Sequence, residues 1–306
     1  MSEKRKDIWK GIIAANLFAF LCMVITTLAL QLASDETGTV LLSEFVLLPM
    51  MMGVIASYFW KVDRISGGDA FACGVLNLGV CLLLCAIILR EGVICLVIVS
   101  PLIGLFMWMG HLLGRLLFRS KKNTLKISVL GSFLAIFAIN IVTVTPSNDM
   151  VSDRITIKAS PEQVWQYVVS FPRIETEPDY WLFRIGLPSP VQSIAEGNYV
   201  GASRQCIFSN GAIFEEKIVE LEPGAKLTFE ITEQPDDPEI IGHLNLLKGQ
   251  FLLQDNGDGT TTLIGNSWYD LKVKPSQYFD IWTRSIIRNV HMEVMEHIKE
   301  LAENAA

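Results

Sequence analysis

Near the C-terminal end, apolar residues recur at helical spacing. At about 100° per residue Phe279, Trp282, Ile286, Val290, Val294, Ile298 and Leu301 share one arc, which predicts a long amphipathic helix opening after Pro275. Two strand-like stretches precede it, Gln250 to Leu253 and Thr260 to Leu271, with a polar hairpin at Asp255 to Gly259 between them. Further back, Arg154 to Ala159 alternates as a strand, with Ile155 and Ile157 on one face. Ser160-Pro161-Glu162-Gln163 then has the residues of a capped helix start, and Val164, Trp165, Val168 and Val169 give that helix an apolar stripe. From Arg173 to Gly197 the prolines 178, 188 and 190 predict mostly loop and short helix, whose Tyr180, Trp181 and Phe183 should fold over something. Tyr199 to Phe208 and Ile213 to Leu221 flank Asn210-Gly211, a hairpin signal. A two-residue turn there would pair Gln205 with Glu216 and Arg204 with Lys217, and alternation leaves open which face points inward. Leu227, Phe229 and Ile231 form one more one-sided strand. The order of elements is that of an α+β domain: a curved antiparallel sheet laid across one long helix.

The first half follows a different pattern. Five apolar stretches approach the roughly 20 residues that cross a bilayer: 11–32, 40–60, 70–89, 92–117 and 125–144. The first has too long an apolar core, and no small-residue cleavage site after it, for a removed signal; it is expected to be retained. With the N-terminus cytoplasmic, the inner segments carry Lys4, Arg5, Lys6, Lys10, Lys61, Arg64, Arg115, Arg119, Lys121, Lys122 and Lys126, and the outer loops only Arg90. Five crossings then place everything after Thr145 on the outer side of the cell membrane. Asn16, Glu44, Asn77, His111 and Asn140 are the polar residues within these stretches; no relay is evident, and Glu44 and His111 read as headgroup-level residues. Gly110 and Gly114 allow close helix approach within a bundle, and Pro101 is expected to kink its span.

Composition sharpens the division. The chain of 306 residues is 51% hydrophobic and 19% charged. Residues 1–146 hold 12 Lys and Arg against 8 Asp and Glu, a balance of +4, whereas 147–306 hold 13 against 24, a balance of −11. An acidic C-terminal half argues against a nucleic-acid partner, which a basic face would have to hold. Five of six cysteines lie in the apolar half and Cys206 stands alone, so neither a disulfide framework nor a metal site is expected. Asp255-Asn256-Gly257-Asp258-Gly259 resembles a calcium loop, but Asn266 stands where the closing acidic ligand belongs, and a hairpin turn is the better reading.

Several stretches together resemble a known group. They are Ile155 through Trp165, then Gly249-Gln250-Phe251, Thr262-Leu263-Ile264-Gly265 and Trp268-Tyr269, and finally Pro275, Tyr278, Trp282, His291 and His297-Ile298-Lys299. Over about 151–303 the chain resembles the START-like or SRPBCC superfamily, the polyketide cyclase/dehydrase and lipid transport group, and within it a membrane-attached bacterial branch. The resemblance implies a helix-grip domain (151–306) after a multi-pass transmembrane region (1–146), with a cavity between sheet and helix. It implies no cofactor, since the ligand motifs of iron-sulfur and iron-binding members are absent. The group includes carriers, sensors, cyclases and hydroxylase domains, so fold alone does not assign function.

The expected partners are therefore the lipid bilayer and a lipid or other small hydrophobic ligand. Candidate ligand contacts are Tyr269, Trp268, Phe251, Glu216, Trp282, Glu293 and His297. Trp268, Tyr269 and Phe251 are equally readable as core packing. His297 lies mid-arc on the predicted helix with Glu293 one turn before it, so the pair suits a general base or a polar anchor. The alternative is a histidine satisfied by a carboxylate or a backbone carbonyl for stability alone. His291, at the edge of the arc, is expected to be exposed or interfacial. No serine nucleophile elbow, phosphate loop or zinc-helix motif is present.

Overall fold

The computed structural model describes residues 3–32, 43–60, 65–119, 131, 148–239 and 244–305. The chain divides into two compact units, Met1–Thr145 with Val273–Pro275, and Pro146–Lys272 with Ser276–Ala306.

The first unit is helical: α1 (Glu3–Leu32), α2 (Leu48–Phe59) after a π-helical turn at Ser43–Leu47, α3 (Gly67–Leu84) running into another at Cys85–Leu89, and α4 (Val93–Arg119). Three of these are long and apolar enough to cross a membrane, over Glu3–Ile25, Gly67–Ile88 and Val93–Arg119. The count of five expected from hydropathy is not reached among the described residues. The stretch expected at 40–60 yields only the shorter apolar helix Glu44–Phe59, and the one at 125–144 lies almost entirely outside the described residues.

Close approach explains how α2 and α4 pack. A Cβ on Gly110 would overlap the Met50 carbonyl oxygen, one on Gly53 would overlap the Met107 carbonyl oxygen, and one on Gly114 would meet Ser57. The polar residues within the helices are more connected than the sequence suggested. Asn16 Nδ2 donates to Asn77 Oδ1 at 2.8 Å, and Asn77 Nδ2 in turn to Met107 Sδ at 3.3 Å, tying α1, α3 and α4. His111 is buried, with Nδ1 against Ser57 Oγ. Asn140 lies outside the described residues.

The second unit is a seven-stranded antiparallel sheet in the order β1-β7-β6-β5-β4-β3-β2, curled around α7 (Ser276–Asn304) as a helix grip. Its strands are β1 (Asp149–Ile157), β2 (Pro190–Ala195), β3 (Ser203–Phe208), β4 (Ile213–Glu222), β5 (Lys226–Glu233), β6 (Leu244–Asp255) and β7 (Thr261–Leu271). Between β1 and β2 lie two short helices, α5 (Pro161–Trp165) and α6 (Trp181–Arg184). The Ser160 capping box forms as its residues imply: Ser160 N–H donates to Gln163 Oε1 at 2.9 Å, and Gln163 N–H to Ser160 Oγ. Val164, Val168 and Val169 are buried as the stripe requires.

Two expectations are corrected here. The 173–197 stretch contains a strand, β2, hidden by its prolines; as the edge strand it tolerates Pro190, which has no N–H to give a neighbour. The Asn210-Gly211 hairpin has a three-residue loop, with Phe208 N–H donating to Ala212 O at 2.9 Å and Gly211 at φ +84°. Pairing shifts by one residue, so Arg204 faces Glu216 and Gln205 faces Glu215.

On α7 the buried residues are Phe279, Ile287, His291, Val294, Met295, Ile298 and Ala302. This face is rotated by roughly 70° from the arc drawn through the most apolar residues. One end of the domain is a filled core, where Ile157, Val164, Leu263, Met295 and Ile298 close together. Val290, His291 and Val294 line open space instead.

Candidate functional site

Inward-facing parity on the strands explains what reaches that space. On β3 Arg204, Cys206 and Phe208 point inward; on β4 Phe214 and Glu216; on β5 Phe229 and Ile231; on β6 Gly249 and Phe251; on β7 Gly265 and Ser267. Together with Phe171 and the α7 residues they enclose a cavity of about 90 Å³, five of whose wall residues are phenylalanines. Gly249 makes room for one of them, since a Cβ there would strike the Phe229 ring.

Two polar sets interrupt this apolar wall. In the first, Arg204 and Glu216 form an ion pair, with side chains 3% and 4% exposed. Arg204 Nε also donates to Val169 O at 2.9 Å, and its guanidinium lies 4.4 Å from the Phe229 ring centre. Burial pushes the Glu216 carboxyl above the ordinary carboxylate range, against the opposing pull of Arg204. The neighbouring Cys206 thiol is pushed up to about 12, by burial and then by Glu216, which makes it inert.

The second set joins three elements. His291 on α7 contacts Asp153 Oδ2 on β1 through Nδ1 at 2.9 Å and Ser267 Oγ on β7 through Nε2 at 2.8 Å. Because a carboxylate only accepts, Nδ1 carries a proton, and in the neutral imidazole Nε2 is the acceptor for the Ser267 hydroxyl. Arg288 Nε lies 3.6 Å from the other Asp153 oxygen. Ser267 and His291 line the cavity, and Asp153 stands behind them.

Of the residues singled out in the sequence, Phe251 and Glu216 line this cavity. Tyr269 is fully buried, and its hydroxyl donates to Asp280 on α7; burial and that carboxylate hold the phenol well above its ordinary range. Trp268 sits on the other face of β7, beneath Lys248 Nζ at 4.3 Å. Trp282 packs edge-to-face on Trp181 with ring centres 6.5 Å apart, and Tyr180 reaches Ser285 Oγ at 3.0 Å, so the aromatic loop does fold onto α7. His297 Nε2–H donates to the Pro172 carbonyl at 3.1 Å, its ring against Phe171. The Glu293 carboxyl is pushed up by burial and by Asp179. Neither Glu293 nor His297 is among the lining residues.

His291 was expected to be exposed or interfacial and is buried, because the rotation of α7 turns its edge onto β1 and β7. The signal for the missed residues is parity. Asp153, Arg204 and Ser267 each occupy a strand position whose neighbours two away point to the core, and a polar residue there needs an explanation.

No family model matches the chain, and no curated protein matches it in sequence. Solved structures do resemble it in outline. Norcoclaurine synthase from Thalictrum flavum, in complex with dopamine and hydroxybenzaldehyde, is 12% identical, with 53% of this chain and 90% of that chain covered and a TM-score of 0.36. A protein from Thermus thermophilus is 12% identical over 52% of this chain and 99% of its own, with a TM-score of 0.37. A protein from Nitrosospira multiformis is 18% identical over 50% and 94%, with a TM-score of 0.34. These likenesses cover about the length of the second unit and carry no statement about activity.

Proposed function

We propose that the second unit encloses a small apolar molecule with one polar end, as a carrier or sensor, and that the apolar helices hold it at a membrane. The observation that carries this reading is the phenylalanine-walled cavity with two buried polar sets at its surface. Apolar walls supply affinity and a few fixed polar groups supply orientation. Size decides between the expected occupants. A volume of about 90 Å³ suits a single ring or the end of one acyl chain and is far too small for a two-chain lipid. The anchoring proposed is multi-pass, as the resemblance to a membrane-attached bacterial branch implies, with the cation-rich segments cytoplasmic; crossings at 40–60 and 125–144, added to the three described helices, make five and carry the domain to the outer face.

Native mass spectrometry of the full chain released from detergent tests this, followed by extraction and identification of what co-purifies. One small apolar molecule per chain is expected, and none on Gly249→Val, whose side chain competes with Phe229 for the same space. A chain that stays empty after exposure to a total small-molecule extract of its host cells sinks the binding reading.

The Asp153–His291–Ser267 chain favours a second reading, acyl transfer from a small apolar ester. Nε2 is placed to take the proton from Ser267 Oγ as that oxygen attacks the acyl carbon, and to return it to the alkoxide that leaves as the ester C–O bond breaks; water then releases the acyl group by the same proton transfers in reverse, and Asp153 fixes the tautomer. This is a hydrolase-like alternative resting on His291, where the sequence pointed to His297 with Glu293. A fluorophosphonate probe is expected to label Ser267, mapped by peptide mass spectrometry, and His291→Gln to slow labelling by about 100-fold or more. An unlabelled Ser267 in folded protein removes this reading.

A further inference from the structure

We propose that the first unit holds a separate ligand site, for a small hydroxylated aromatic molecule, with His111 Nε2 as its hydrogen-bond acceptor. The site is a cavity of about 300 Å³ between α2, α3 and α4, walled by Trp60, Phe71, Leu78, Pro101 and Trp108. Glycines open it: among the described residues nothing lies within 4 Å of where a Cβ on Gly74 would stand, and only Leu78 near one on Gly104.

His111 is 3% exposed, and its Nε2 has no hydrogen-bond partner among the described residues. The opposite edge of the ring is held. Ser57 Oγ lies 2.6 Å from Nδ1, 2.8 Å from Gly53 O and 3.1 Å from His111 O. A hydroxyl has one proton, and here it goes to a backbone carbonyl in the manner of a helical serine. Nδ1–H therefore donates to Ser57, and Nε2 is left as a lone pair with no partner among the described residues, on a ring that lines the cavity. Such an atom is costly to bury unmet.

Asn77 and Ser100, two further polar residues of the wall, are already committed. Asn77 bonds Asn16 and Met107, and Ser100 Oγ donates to Val97 O at 3.1 Å, the carbonyl that Pro101, lacking an N–H, leaves unmet within the helix. A water molecule needs about two to four polar partners, and this wall is almost wholly apolar. An apolar body with a single hydroxyl matches the wall and the acceptor together. The ring centres of Trp60 and Trp108 stand 5.4 and 5.6 Å from His111, and Phe71 meets Trp108 edge-on at 5.5 Å, so the cavity wall around the imidazole is aromatic surface that suits a ring. The site is independent of the cavity in the second unit and of the function proposed for it.

The experiment compares 2-naphthol with naphthalene on the full chain in detergent, read by tryptophan fluorescence and equilibrium dialysis. One 2-naphthol per chain is expected, bound at least about tenfold more tightly than naphthalene, with His111→Leu erasing that difference. Equal affinity of the two probes, absence of saturable binding, or an unchanged preference in His111→Leu overturns the proposal. Should the leucine variant fail to fold, wild-type protein labelled with ¹⁵N-histidine decides. The chain has only 4 histidines. 2-Naphthol is expected to move the Nε2 resonance of His111, and naphthalene to leave it unmoved. A shift at His291 instead assigns the probe to the other cavity and overturns the proposal.

Discussion

Arg204→Met is expected to destabilise the second unit by about 3–5 kcal/mol, the usual cost of stranding one partner of a buried ion pair. The methionine fills much of the volume, so the loss arises from Glu216, whose carboxyl is 4% exposed and has no other cation against it among the described residues. Arg204→Met with Glu216→Leu is expected to recover most of that loss, because an apolar pair of similar volume removes the stranded charge. The pH dependence has a fixed sign. Glu216 has a folded-state pKa raised above its unfolded value, so its contribution is fully present below the unfolded pKa and is lost as pH rises through the folded one. Arg204 opposes that rise, and its removal widens the window upward. The deficit of Arg204→Met in thermal melts of the full chain in detergent is therefore expected to be smaller at pH 5 than at pH 8. An equal deficit at both values would show that the stranded carboxyl is not its source.

That pair also shows how much of the site is legible in the sequence. Alternation places Phe214 and Ile218 on the core side of one strand and Cys206 and Phe208 on the core side of the other, and Glu216 and Arg204 share those parities. The obstacle was the loop. Counted as two residues, the hairpin separates Arg204 from Glu216, and counted as three it sets them opposite each other. The long helix was legible in extent but not in rotation. An arc drawn through the most apolar side chains favours Ile286 and Val290, whereas the sheet buries His291 and Met295, because an imidazole met by Asp153 and Ser267 is no longer polar in cost. Partners supplied by β1 and β7, more than 20 residues away in sequence, are invisible to any local period. The capping box at Ser160 and the turn at Asp255 to Gly259 were legible because their partners lie within five residues.

In the first unit one substitution is expected to have opposite signs at two glycines. Gly110→Ala sets a methyl against the Met50 carbonyl, where α2 and α4 cross at backbone distance, and Gly53 closes the same crossing from the other side. Backbone cannot yield as a side-chain tip does, so the helices must separate and loosen Gly114 against Ser57 as well. The expected loss is about 1–3 kcal/mol, larger for valine. Gly79→Ala on α3 meets nothing within 4 Å among the described residues. It is expected to gain up to about 1 kcal/mol from helix propensity alone. Equilibrium unfolding of the full chain in mixed dodecylmaltoside and SDS micelles separates the two, with Gly110→Ala unfolding at a lower SDS fraction than wild type and Gly79→Ala at the same or a higher one. Since Ser57 also holds the His111 ring, a loosened crossing is expected to weaken 2-naphthol binding in Gly110→Ala and to leave it intact in Gly79→Ala. A neutral Gly110→Ala would mean that α2 and α4 do not meet at this spacing, and that the cavity beside His111 has a different wall.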